Sequence, residues 1–130
     1  MSGVIRLLVE AAVLAALLVW VRVLGQWLPP HDPWVEAVAG SVVFCMGFGQ
    51  LARAHANPRQ MVSHGLRLLL LANLMFFIAA RALAGDGSMW VTADIAVAMA
   101  LHSLAASGVL SFLFLVKRRT PASAAGVARR

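Results

Sequence analysis

Arg53-Ala-His-Ala-Asn-Pro-Arg-Gln-Met-Val-Ser-His-Gly-Leu-Arg67 is the one long polar segment inside a chain that is otherwise almost continuously apolar. It holds three arginines, with Asn57-Pro58 as a break and Gly65 just before the next apolar run. The sequences on either side therefore read as hydrophobic hairpins that this basic elbow joins.

The solvent for those hairpins follows from composition. Of 130 residues, 62% are hydrophobic and 12% charged, and the mean hydropathy is +0.85. Soluble domains are about 45–50% apolar, so a chain of this size in water would lack the polar surface to cover itself. Lipid is the expected solvent. The net charge of +6 does not point to nucleic acid, because the positive residues sit between apolar runs instead of forming a stripe on a folded face. With one cysteine, Cys45, neither an internal disulfide nor a cysteine-built metal site is available.

The expected fold class is all-α: a polytopic membrane protein of four transmembrane helices arranged as two hairpins. The spans are placed at 4–28, 34–54, 66–84 and 89–116, followed by a basic flexible tail, 117–130. At 1.5 Å per residue, a span of 22–25 residues covers about 33–37 Å, enough for a hydrocarbon core of about 30 Å. Leu28-Pro-Pro-His-Asp-Pro33 cannot continue a helix, and Gly85-Asp-Gly-Ser88 closes the second hairpin. The third span has a short uncharged stretch, Leu68 to Ala80, and crosses only if Arg67 and Arg81 snorkel outward. Trp20, Trp27 and Trp90 sit where interfacial aromatics do. A secretory signal is not expected from the first run, since Arg22 and the proline turn separate it from the small residues Ala37-Val-Ala39.

Nine of the 11 basic residues, among them Arg53, Arg59, Arg67, Lys117, Arg118 and Arg119, fall on one side, and only Arg22 and Arg81 on the other. Cytoplasmic loops carry such an excess, so an N-in/C-in protein of the bacterial inner (cytoplasmic) membrane is expected. The same basic residues face lipid headgroups. A faint hairpin repeat pairs Arg22 and Trp34-Val35-Glu36 with Arg81, Trp90-Val91 and Asp94.

Three constellations could carry function. Arg22, Glu36, Arg81 and Asp94 form an outer-leaflet charge set. Folding each hairpin at its turn suggests an Arg81–Asp94 pair, with Arg22 and Glu36 at similar depth. They read as register-fixing ion pairs, or as a polar vestibule for an ion, a proton or a quinone headgroup. Cys45, Met46, Met75, Met99 and His102 lie near the midplane; soft ligands there would suit copper or haem at His102, although methionine is a common gap filler and His102 can instead hydrogen-bond Asn73. No cofactor is therefore expected. Small residues recur on helix two (Ala37, Ser41, Cys45, Gly49) and helix four (Ala96, Ala100, Ser103, Ser107, Ser111), a spacing that lets helices approach closely in lipid. Glu10 reads as a local partner of Arg6, and His55 and His64 as polar residues of the elbow.

No phosphate loop, His-Glu-x-x-His, Gly-x-Ser-x-Gly or Cys-x-x-Cys motif occurs, so an enzyme is not expected. In outline the chain resembles the bacteriophage holins: short, with several helices joined by tight turns and a basic tail. That resemblance implies self-association and membrane permeabilisation. The alternatives are an accessory or assembly subunit of a larger respiratory or transport complex, or a small transporter or redox subunit using Arg81, Asp94 and His102. The expected partners are the lipid bilayer and either further copies of the chain or other membrane subunits.

Overall fold

The computed structural model describes residues 3–29, 33–85 and 89–128. The turn residues expected at 30–32 and 86–88 and the terminal Arg129-Arg130 lie outside the described residues, as do the side chains of Trp90, Val91 and the tail from Thr120. The chain forms four helices, α1 (Gly3–Gly25), α2 (Pro33–Arg53), α3 (Pro58–Ala84) and α4 (Met89–Ala128). All four are long and apolar enough to cross a membrane.

The elbow differs from its reading as a connector. Asn57 caps α3, its side chain accepting the Arg59 backbone N–H at 3.0 Å, with Pro58 in the first turn. Asparagine supplies an acceptor for otherwise orphaned amides, and proline has no amide there to satisfy. The third helix therefore starts at Pro58, not residue 66, and its 27 residues give about 40 Å of length. The helix is therefore long enough to span, while its uncharged stretch is still Leu68 to Ala80. Gly85 ends the helix at φ 72°, a left-handed conformation that costs glycine little. At the other end of the chain, the α4 backbone stays helical past Val116 to Ala128, although this segment contains Pro121 and Gly126, both of low helix propensity.

α1 packs against α2 and α3, α4 packs against α2 and α3, and α2 also touches α3, whereas α1 and α4 stay apart at opposite corners. Consecutive helices α2 and α3 therefore face each other across a diagonal. Each helix turns one stripe inward: Ala11, Leu14, Ala15 and Leu18 from α1, Phe44, Phe48 and Ala52 from α2, Met61, Leu68, Ala72 and Phe76 from α3, and Ala106, Leu110 and Leu113 from α4. Close approach depends on glycine at two contacts. A Cβ on Gly47 would lie 2.9 Å from Leu14, and one on Gly65 2.9 Å from Leu110.

The outer surface is equally apolar. Leu70 is 71% and Leu104 75% exposed, and Met46, Leu74, Ile78 and Phe112 are exposed with them. A helix that is apolar all round needs lipid rather than water on its outward face, so the distribution of exposed side chains agrees with a multi-pass membrane protein.

Candidate functional site

Against that apolar background, polar groups occur at three levels along the bundle. The outer one, at the end away from the basic elbow, is built at the α1 C-terminus and the α4 N-terminus and is partly exposed. Arg22 Nη2 bridges Asp94 Oδ2 at 2.9 Å, so the pair joins α1 to α4 and not Arg81 to Asp94 as the sequence suggested. Glu36 lies over Gly25, its carboxylate in the space a Cβ there would take, and Arg22, one turn earlier, is long enough to cross the diagonal. Arg81 sits half-buried in the last turn of α3.

Below this level is a cavity of about 30 Å³ bordered by Arg22, Glu36, Asp94, Leu18, Phe76 and His102, large enough for a water molecule. It joins the outer charges to the middle level. His102 is 2% exposed and packs between Phe44, with ring centroids 4.8 Å apart, and Phe76, which it meets edge-on at 73°.

Asn73 fixes the state of that imidazole. Its Nδ2 donates to the Leu69 carbonyl at 3.0 Å and to Ser103 Oγ at 2.9 Å. A carbonyl can only accept, so the amide orientation is set and Asn73 Oδ1 must face His102 Nε2, 2.5 Å away. His102 Nε2 therefore carries a proton and donates it. Met46 points outward, and Cys45 lines a shallow α2/α4 groove with Ser41 and Leu101. Met75 and Met99 pack at the edge of the apolar core. Among the described residues no three His, Cys, Asp or Glu side chains converge as metal ligands.

The inner level, the one beside the basic elbow, is the one the sequence reading missed. Glu10, 8% exposed, accepts from Arg6 Nε at 2.8 Å and lies 2.6 Å from His64 Nε2 of α3. The local Arg6–Glu10 pair is present, but Glu10 also ties α1 to α3. His64 lies against His55 with ring centroids 4.3 Å apart and the planes tilted by 42°, and Lys117 Nζ donates to the carbonyls of Arg53 and His55. His55 Nε2 is buried without a hydrogen-bond partner. Burial, with the positive neighbours His64, Arg6 and Lys117, holds the His55 imidazole below its ordinary value against the opposing pull of Glu10. The signal for this cluster lay in the sequence as a carboxylate seven residues into an apolar run, which is costly unless something answers it.

Along α4, Asp94 to His102 is about 12 Å, and along α3, His64 to Asn73 is about 13 Å. Between the middle and inner levels lies a fully buried apolar layer that includes Leu14, Phe48 and Leu68.

The small-residue stripes do not face each other. Gly49 of α2 meets Val109 of α4, whereas Ser103 turns toward Asn73 of α3. Ser107 and Ser111 are exposed beside α3, each hydroxyl donating to the carbonyl four residues earlier. Ala100 is exposed as well, and Ser41 is buried with its hydroxyl on the Ala37 carbonyl. No family model, curated protein or solved structure matches this chain.

Proposed function

We propose that the protein is a multi-pass protein of the bacterial inner membrane that binds and passes protons through the interior of its bundle. Its α1–α2 and α3–α4 hairpins present the basic ends and both termini to the cytoplasm, a reading supported by the distribution of lysine and arginine. Ionisable groups within a membrane are costly and are retained where they pair or carry ions. The observation that carries the proposal is the cavity shared by Asp94, Glu36 and His102, which gives a buried imidazole a wet route to the outer charges. His102 exchanges with that side and Glu10–His64 with the inner side, and the apolar layer of Leu14, Phe48 and Leu68 separates them. Net transfer then requires that layer to open.

The test is proton uptake into liposomes carrying the full chain, a trapped pH-sensitive dye and an imposed potassium diffusion potential. Uptake should exceed that of empty liposomes and fall at least tenfold in His102→Phe. Rates equal to those of empty liposomes would rule the reading out.

A second reading, self-association in the manner of a holin or assembly with other membrane subunits, is supported by the outward placement of Ser107 and Ser111. It predicts disulfide-linked dimers of Ser107→Cys in membranes, or co-purification of other subunits at fixed stoichiometry. Collapse of the membrane potential on expression of the chain alone separates the holin form from the assembly form.

A further inference from the structure

A groove of about 780 Å³ runs down the outer face between α3 and α4. Its walls are apolar, with Leu66 from α3 and Leu110 and Phe114 from α4, and Ser111 forms part of its floor. At one end stand Arg59 and Ser63, which also border a polar recess of about 380 Å³ together with His55, Gln60, His64 and Arg67. Arg59, Ser63 and Arg67 follow at intervals of four along α3 and so share one helix face.

We infer that this groove and its basic rim form a binding site for one acidic phospholipid, the phosphate held by Arg59 and Ser63 and an acyl chain lying between α3 and α4. The walls suit a hydrocarbon chain, and the rim supplies charge and a hydroxyl donor where the headgroup of that chain would sit. Among the described residues no carboxylate bridges Arg59 or Arg67, so an anion from outside is the complementary group. A second copy of the chain is poorly equipped to provide it. Glu10 and Asp94 are engaged in ion pairs and Glu36 lies over Gly25; the remaining acids, Asp32 and Asp86, belong to connectors distant in sequence. The inference does not rest on proton transfer: none of the residues lining the groove belongs to the three polar levels, and of the recess only His55 and His64 do.

The experiment uses the full chain, stripped of lipid in a neutral maltoside detergent and titrated with dioleoyl phosphatidylglycerol, dioleoyl phosphatidylcholine or glycerol phosphate, with bound ligand counted by native mass spectrometry. One phosphatidylglycerol should bind saturably and in preference to phosphatidylcholine. Arg59→Gln should weaken it about fivefold, the effect of one interfacial charge, while Arg118→Gln, outside the groove, changes it less than twofold. Ser111→Phe, which fills the groove floor, should displace the lipid with Arg59 intact. Equal losses in the two arginine variants would reduce the site to general surface attraction and overturn the inference. Saturable binding of glycerol phosphate would assign the rim to a free phosphate instead, and Ser111→Cys dimers that persist in excess phosphatidylglycerol would assign the groove to a second copy.

Discussion

Glu10 of α1 and His64 of α3 meet 2.6 Å apart inside the bundle although 54 residues separate them in the chain. With Arg6 on the same carboxylate, the contact fastens the inner ends of the two helices. Glu10→Gln keeps the shape and removes the charge. It should lower stability in detergent by about 1–3 kcal/mol, the cost of leaving buried hydrogen-bonding groups badly matched. His64→Ala should cost a similar amount, and the double variant less than the sum. Additive losses in thermal melts would show that the two side chains do not interact.

The middle level gives an asymmetric expectation. Asn73→Leu strands the His102 N–H and should cost about 1–3 kcal/mol, whereas removing both partners with shape-matched apolar groups can be nearly neutral. His102→Phe combined with Asn73→Leu should therefore melt closer to the parent than Asn73→Leu alone. A double variant less stable than the single one would contradict the tautomer and amide orientation described above.

His55 sets a pH dependence. Its folded imidazole titrates below the ordinary value of 6.5, so between those two values the unfolded chain holds the extra proton and the folded chain does not. Its contribution to stability is complete above pH 6.5 and is lost as the pH falls from there toward the folded value. The groups facing it are His64, Arg6, Glu10 and Lys117. Melting temperature should fall on acidification below 6.5, and His55→Gln should flatten that part of the profile. An unchanged slope in the variant would assign the effect to another group.

Two glycines should respond in opposite directions. Gly65→Ala brings a methyl within 2.9 Å of Leu110 and 3.4 Å of Phe48, and overpacking of this kind costs about 1–3 kcal/mol. A Cβ on Gly108 meets nothing within 4 Å, so Gly108→Ala should be neutral or stabilise α4 by up to about 1 kcal/mol. Equal effects at the two positions would mean that α3 and α4 do not approach as described.

Much of the fold is legible because hydropathy and helix breakers act locally. Pro29-Pro30 and Gly85 divide the apolar runs, and the resulting spans match α1 and α2 to within a few residues. The start of α3 misleads because polarity and helicity are separate properties: Arg59, Gln60, Ser63 and His64 are polar yet helical, and Asn57-Pro58, read as a break, is a helix start signal. The polar levels are less legible for a different reason. A hairpin reading pairs each charge with its sequence neighbour, so Arg22 is matched to Glu36 and Arg81 to Asp94, whereas the observed ion pair crosses from α1 to α4. Which diagonal a long side chain spans depends on how helix pairs stack, and no local pattern encodes that. His102 with Asn73 was foreseeable because both lie near the centre of their spans.

The packing of α1 against α3 has a consequence for biogenesis. When α1 and α2 leave the ribosome, only Arg6 of the two groups that Glu10 meets in the folded bundle has been translated. The expected result is that the first half of the protein waits beside the translocon, or with its carboxylate near the headgroups, until α3 arrives. A nascent chain arrested after α2 should remain crosslinkable to the insertion machinery, and release should coincide with emergence of the segment bearing His64.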